Sequence, residues 1–320
     1  MQAISNTLLS DYSLPFWVFV LIVSIERFLQ WPEKYHPLSF VKLLAKGIHI
    51  KVLHPQQTSS QQQKIAGVLA AITVLLPLSI ILAVIKYFSE FPIFFNGLML
   101  LVALRFQDIP KLTHRISNAL SKQQKMLARQ SLSQIVLRET EKMSPLGMVK
   151  ANIESLLLRF SYQFCSVLFW YVIAGGMGAL IYRLTYELSL CWTTKLVRFT
   201  HFGSPIRFLV NILQWIPSKI ATLSIVLAVN TSRGIAAVFQ RISYQSNHLF
   251  VLNVCGASLN IELGGPAYYD HKKVRVIKCG GTKPAILRDN SKVLGAINRA
   301  IWIILVAYFV LSTIAFILFR

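Results

Sequence analysis

Six apolar runs separated by polar segments constrain the fold of this chain more than any other feature. A helix of ~20 apolar residues is long enough to cross the hydrocarbon core of a bilayer. Inside lipid, a helix also satisfies every backbone polar group within its own segment. The sequence therefore predicts an all-α integral membrane protein with about five to six transmembrane helices, drawn from residues 14–25, 65–85, 91–106, 163–182, 206–229 and 301–319.

Composition supports the same class. The 320 residues are 54% hydrophobic and only 14% charged, and the mean hydropathy is +0.55, which is too apolar for an ordinary soluble protein. The chain has 33 Lys and Arg against 12 Asp and Glu, a formal net charge of +21. In a membrane protein such an excess marks cytoplasmic loops. We therefore expect a lipid bilayer, and no nucleic acid, as the partner of these charges.

The distribution of charge predicts an orientation for a single polytopic domain, 1–320. If all six runs cross, residues 31–64, 107–161 and 230–299 share one side and carry 5, 9 and 10 Lys plus Arg, which is 24 of the 33. The positive-inside rule makes these three loops cytoplasmic and places the N-terminus outside. Within the second loop, leucines and isoleucines at helical spacing over 107–150 predict one long amphipathic helix or a helical hairpin.

The cysteines predict no special chemistry. They form no C-x-x-C pair and no cluster with histidine, so they indicate neither a disulfide framework nor a zinc site. The four residues are Cys165, Cys191, Cys255 and Cys279.

The stretch from Ser246 to Gly281 is where small residues, aromatics, an asparagine and basic residues crowd together outside an apolar run. Gly264-Gly265-Pro266 allows a sharp backbone turn and a close approach to a ligand. Tyr268 and Tyr269 offer flat faces and hydroxyls beside it. Such a segment is either a ligand-binding loop or a plain surface loop.

Two short motifs on the predicted cytoplasmic side combine carboxylates with a cation. Arg138-Glu139-Thr140 follows the amphipathic segment, and Ile153-Glu154-Ser155 precedes a return to the membrane. The carboxylates are suitable ligands for magnesium and the arginine for phosphate. The alternative is a capped helix end with solvated charges. The chain contains no P-loop, G-x-S-x-G, H-E-x-x-H or dinucleotide fingerprint.

Taken together and in order, these and other short motifs resemble those of the CobD/CbiB family of cobalamin biosynthesis, the membrane-bound adenosylcobinamide-phosphate synthases. The resemblance covers nearly the whole chain. It is carried by Glu26-Arg27, His36-Pro37, Arg138-Glu139-Thr140, Glu154-Ser155, Phe169-Trp170, Gly175-Gly176, Tyr182-Arg183, Trp215-Ile216-Pro217, Asn247 and the segment Leu263-Gly264-Gly265-Pro266 with Tyr269.

The resemblance implies an ATP-dependent acid–amine ligase in a bacterial inner membrane, with ATP and Mg²⁺ as co-substrate and ion. Its expected partners are the corrinoid adenosylcobyric acid, (R)-1-amino-2-propanol or its O-phosphate, and other membrane proteins of cobalamin biosynthesis. The residues expected in catalysis are Glu154, Glu139 and Arg138, with the two carboxylates also as metal ligands. Those expected to bind substrate or nucleotide are Asn247, Gly264, Gly265, Tyr269 and His36.

Because the chain departs from the family pattern, a second class of function, a non-catalytic regulator, stays an alternative. Where the family has acidic residues, asparagine and N-T-L-D-S, this chain has Leu158, Arg159, Tyr162, Gln163 and the segment 186–190. Either the metal ligands have moved to Glu187 or Glu262, or the chain is inactive. The latter would resemble AmpE-like proteins, which are related regulators of the inner membrane without synthase activity. A transporter has less support, because no internal repeat is evident.

Overall fold

The computed structural model describes residues 14–28, 31, 36–53, 59–269 and 272–318. These residues group into two compact units. The first comprises the described residues up to Arg105, Val167–Leu213 and those from Ile304 on, and the second comprises Phe106–Ser166 and Gln214–Ile303.

Helices dominate the described part of the chain. They are α1 (Leu14–Phe28), α2 (Pro37–Val52), α3 (Ser60–Tyr87), α4 (Pro92–Ala103), α5 (Asp108–Ser121), α6 (Lys125–Ser133), α7 (Pro145–Arg159), α8 (Ser166–Cys191), α9 (Ser204–Leu213), α10 (Trp215–Val229), α11 (Thr231–Val238), α12 (Asn247–Leu259) and α13 (Asp289–Leu318). A π-helical turn, Phe160–Cys165, joins α7 to α8, and short 3₁₀ turns occur at Val197–Phe199 and Arg241–Tyr244.

Several of these helices are long and apolar enough to cross a membrane. The segments that qualify are Ser60–Tyr87, Pro92–Ser121 (which contains both α4 and α5), Pro145–Cys191 and Asp289–Ile314, and the bent pair α9 and α10 makes a fifth if it counts as one span. The described part of the helix α1 has 15 residues. The predicted all-α membrane class is confirmed. The described residues contain four candidate spans, or five with the bent pair, where five to six were predicted.

In the first unit, local sequence explains where helices begin and break. Ser59 starts α3 with a capping box, because its hydroxyl accepts from Gln62 N while the Gln62 amide accepts from Ser59 N. The helix α8 is broken at Gly175, whose φ is +67°. The Asn96 side chain accepts from Gly176 N at 3.3 Å and so satisfies a donor at this break.

In the second unit, α5 and α6 form a helical hairpin. Its connection contains Gln123 with a positive φ of 57°, and the hairpin buries one face of α5, at Ile109, Thr113, Ile116 and Ala119. Of the two alternatives for this amphipathic segment, the hairpin is therefore correct. A single helix is excluded because α5 ends at Ser121 and α6 begins only at Lys125.

The second unit also contains a two-stranded antiparallel sheet, formed by β1 (Glu262–Tyr269) and β2 (Lys272–Gly280). Expecting a sharp turn or loop at Gly264-Gly265-Pro266 was wrong, because this segment lies within β1. The register shifts between Leu263 and Gly265, so the glycines form a β-bulge, which lets a strand bend without ending. The preceding residues of the stretch form α12.

Candidate functional site

The centre of the candidate site is the carboxylate of Glu154, on the buried face of α7. Arg138 Nη2 donates to Oε2 in a short ion pair, and the backbone N–H of Gly264 donates to Oε1 at 2.7 Å. The Arg138 and Glu154 side chains are 14% and 10% exposed. The structure thus brings together three of the residues that the sequence singled out.

The bulge in β1 presents the Gly264 amide to this carboxylate. Gly264 has a φ of +78°, and a Cβ added there would lie 2.1 Å from the carbonyl oxygen of Ile277 on β2. Only glycine therefore fits both the backbone conformation and the space. Gly265 has a φ of +110°, and the nearest atom to its hypothetical Cβ is Lys150 Nζ at 3.9 Å.

The segment that carries Arg138 is fixed against the same strand. The N–H of Glu139 donates to the carbonyl oxygen of Tyr268 at 2.9 Å, and Glu139 is half-buried. Tyr269, the last residue of β1, is also half-buried. Arg138, Glu139, Glu154, Gly264 and the end of β1 thus belong to one region of the second unit.

Lys150 and Lys278 belong to this region but were missed by sequence reasoning. Lys150 Nζ lies 3.0 Å from Glu262 Oε1, and Lys278 Nζ lies 3.3 Å from the same oxygen. The hydrogen bond from Lys150 is the main reason that the pKa of Glu262 is lowered, and Lys278 contributes further. Because Lys150 precedes Glu154 by four residues, helical spacing alone could have placed it on the same face.

Asn253 is a second missed residue. Its Oδ1 accepts from Gly280 N at 2.8 Å, and its Nδ2 donates to Gln240 Oε1 at 2.9 Å and Ser243 Oγ at 3.0 Å. This side chain ties α12 to the end of the hairpin. The only signal in the sequence is an asparagine inside the apolar run of α12. The predicted Asn247, by contrast, is the first residue of α12 and is half-buried.

His36 belongs to the first unit. It is buried, and its Nδ1 accepts from Leu38 N at 3.2 Å, so the side chain caps the start of α2. Its ring lies 5.1 Å from that of Trp31. The structure assigns this residue a helix cap, and its part in substrate binding stays a prediction.

Two carboxylates of the region, those of Glu154 and Glu262, are already paired with cations of the protein. Within the described ranges, no group of three or more His, Cys, Asp or Glu side chains is placed to hold a metal ion. Both oxygens of Glu154 already accept hydrogen bonds from protein donors, so a magnesium ion would have to compete with Arg138. Glu187 and Glu262, the proposed replacements, pair with Arg183 and Lys150. Magnesium at Glu154 and Glu139 stays a prediction.

A cysteine in the hairpin does not supply a nucleophile. Burial, and after it the nearby Glu154 carboxylate, raises the pKa of Cys279 to about 11. The thiol is therefore protonated at neutral pH and is a poor nucleophile.

Comparison with known proteins now identifies the family. The family model described as "CobD/Cbib protein" matches residues 19–316. The chain belongs to the CobD/CbiB family. It is 25% identical to a protein named cobalamin biosynthesis protein CobD from Chromobacterium violaceum, over 87% of this chain and 91% of that one. A protein of the same name from Stutzerimonas stutzeri is 24% identical, over 79% and 84%. No solved structure matches the chain.

Near Glu154, three residues at which the chain departs from the CobD/CbiB family pattern have structural roles of their own. Arg159 Nη2 donates to the carbonyl oxygen of Ile135 at 2.9 Å. Tyr162 and Gln163 are buried in the π-helical turn that follows α7. Arg159 therefore helps to fix the segment between α6 and Arg138, and the buried residues of the turn contribute to the interior of the second unit.

Proposed function

We propose that the chain is an enzyme of cobalamin biosynthesis that joins adenosylcobyric acid to (R)-1-amino-2-propanol or its O-phosphate by ATP-dependent amide ligation. Family membership over residues 19–316 supports a role in cobalamin biosynthesis. The specific reaction goes further than that membership. It is proposed from the resemblance of the motifs and from the arrangement around Glu154.

The observation that carries the proposal is the Glu154 carboxylate between Arg138 and the Gly264 amide. It connects three of the family-like motifs through direct hydrogen bonds, although Gly264 lies 110 residues from Glu154. A helix cap or a solvated charge pair would not need a glycine with positive φ at its partner position. This arrangement is typical of a built site rather than of a surface ion pair.

The chain's own residues suit a reaction between two poorly reactive groups. A carboxylate does not react with an amine until it is activated, and bound ATP would supply the phosphoryl group that activates it. Arg138 and Lys150 are cations close to a bent backbone, and such groups bind the oxygens of phosphates and carboxylates. Glu154 holds the Arg138 guanidinium in a fixed orientation, which lowers the entropy cost of binding an anion.

The test combines growth and chemistry. A strain without its own synthase is supplied with cobyric acid and with this chain, and purified membranes are assayed for ATP-dependent amide formation. We expect the wild type to restore growth, Glu154→Gln to reduce amidation at least ~100-fold, and the exposed control Glu141→Gln to leave it unchanged. Wild-type membranes that contain the protein but form no amide would overturn the proposal.

A non-catalytic, AmpE-like regulatory protein is the second candidate. The observation that favours it is the loss of acidic and amide side chains at Leu158, Arg159 and Tyr162, because these would otherwise be available for metal or amine binding. This candidate predicts that Glu154→Gln and Glu141→Gln membranes are equally inactive in amidation. It also predicts that any effect of the chain on the cell survives without corrinoid.

A further inference from the structure

The helix α2 is fixed to the first unit by one of its faces. The residues of this face are buried and lie at helical spacing: Leu38, Val41 and Ala45. The indole N–H of the fully buried Trp192 donates to the carbonyl oxygen of Ala45 at 3.2 Å. The ring of His49 lies 5.1 Å from that of the buried Phe199. These contacts fix the rotation of α2 about its own axis, and so they determine which residues point outward.

The opposite side of α2 is also apolar, but it is open. Its residues, which we call the outer face, lie within an arc of about 80° at 3.6 residues per turn: Phe40, Leu43, Gly47 and Ile50. The three larger side chains are 57%, 67% and 70% exposed, and a Cβ added at Gly47 would meet no atom within 4 Å. A continuous, exposed apolar face of this kind normally contacts lipid or another protein.

Two lysines lie at the edges of the outer face. Lys46 precedes Ile50 by four residues and Lys51 follows Gly47 by four, so the lysines lie on opposite edges. Both are exposed, and α2 contains no Asp or Glu. A lysine at the edge of an apolar face can keep its methylene stem in an apolar layer while its ammonium group reaches the headgroups. This pattern is typical of a helix that lies in the plane of a membrane interface.

The connection to α3 keeps α2 close to a membrane surface. The helix α3 is long and apolar enough to cross a membrane, but its first residues, 60–64, are Ser, three Gln and Lys, which are unfavourable in the hydrocarbon core. Only seven residues separate α2 from α3, a length that spans at most ~25 Å, and the two helices pack against each other. The helix α2 itself is not among the candidate spans.

We propose that the outer face of α2 lies in the bilayer interface and that Lys46 and Lys51 bind the phosphates of anionic lipid headgroups. Anionic lipid is the partner that fits, because it supplies an apolar layer and negative charge at the same surface. The helix then anchors the first unit beside the entry of α3 without crossing the membrane. The proposal concerns the first unit alone and does not rest on the amide ligation, so it can stand if that function fails.

The experiment places a fluorescent label on the outer face of the full-length protein in nanodiscs. Gly47→Cys, with Cys191 replaced by serine and the buried cysteines retained, carries a bimane group. The discs contain phosphatidylcholine and phosphatidylglycerol, and a small fraction of one of these lipids bears a doxyl quencher near the top of its acyl chain. We expect doxyl lipid to quench this label at least ~3-fold more than a label on Glu141→Cys, an exposed position of the second unit.

A comparison of the two doxyl lipids tests the lysines. Doxyl-phosphatidylglycerol should quench the label at position 47 ~2-fold more than doxyl-phosphatidylcholine, and added salt should reduce this preference. Lys46→Gln combined with Lys51→Gln should abolish the preference while both lipids still quench the label. The matched control is Lys122→Gln with Lys125→Gln, which removes two exposed lysines of the second unit and should leave the preference unchanged.

Three outcomes would overturn the proposal. The outer face is open to water if iodide in the buffer quenches the label at position 47 as strongly as the label at position 141. A protein surface, such as a second copy of the chain, covers the face if neither iodide nor doxyl lipid quenches the label. The lysines do not select anionic lipid if both doxyl lipids quench the label equally in the protein that retains Lys46 and Lys51.

Discussion

At the scale of single residues, the Glu154 carboxylate is held by two donors of different kinds, a guanidinium and a backbone amide. The backbone donor is available only because Gly264 adopts a positive φ next to the carbonyl of Ile277. A side chain and a backbone conformation are thus coupled. A substitution of Glu154 should remove the acceptor of the Gly264 N–H, and a substitution of Gly264 should displace a donor to the Glu154 carboxylate.

Glu154→Ala should destabilise the protein by about 2–4 kcal/mol, because it leaves the largely buried Arg138 guanidinium and the Gly264 N–H without an acceptor. Glu154→Gln should cost about half as much, since an amide oxygen still accepts from Gly264. Denaturant unfolding in detergent, followed by tryptophan fluorescence, measures both. Equal stability of wild type and Glu154→Ala would contradict the buried hydrogen bonds.

Gly264→Ala should destabilise by at least ~2 kcal/mol, because alanine at a positive φ is strained and its Cβ would collide with Ile277 O. The matched control is Gly295→Ala in α13, where a Cβ meets no atom within 4 Å. The control should be neutral or stabilising by up to about 1 kcal/mol. The same unfolding assay compares them, and similar losses for both variants would count against the bulge.

At the scale of elements, the hairpin β1–β2 is connected to α7 and α12 by polar side chains. Lys150 of α7 pairs with Glu262 at the start of β1, and Asn253 of α12 accepts from Gly280 at the end of β2. A two-stranded sheet is only marginally stable alone. These contacts therefore fix the hairpin to the helices that carry the site.

The Glu262 contacts make the stability of the protein depend on pH. The pKa of Glu262 is lower in the folded protein than its ordinary value of 4.5, first because of the hydrogen bond from Lys150. The stabilisation is therefore complete above the unfolded-state pKa and is lost as the pH falls through the folded-state pKa. Glu262 is about one-third exposed, so we expect less than ~1 kcal/mol.

The measurement is the unfolding free energy between pH 3 and 6, for wild type and Glu262→Gln. The wild type should lose more unfolding free energy than the variant as the pH decreases, and this extra loss should occur below pH 4.5. If the unfolding free energies of the two proteins change with pH in parallel, the Lys150–Glu262 ion pair contributes nothing to stability.

At the scale of the whole molecule, the prediction that stays open is topology. The positive-inside rule places 107–161 and 230–299 in the cytoplasm. With Cys191 replaced by serine and the buried Cys165, Cys255 and Cys279 retained, a cysteine introduced at exposed position 123 or 277 should react with an impermeant maleimide only in inside-out vesicles. A cysteine at exposed Glu90 should react only in right-side-out vesicles. Labelling of positions 90 and 123 from one side would contradict the crossing between them.

The sequence by itself determined the membrane class and the family, and it singled out Arg138 and Glu154, because composition, apolar run length and short motifs are local properties of a chain. The tertiary structure decided what these residues contact. Arg138 and Gly264 meet at Glu154, and Asn253 meets Gly280, because packing brings distant segments together. The bulge at Gly264 and the exposure of the outer face of α2 likewise depend on what surrounds them, which no local pattern specifies.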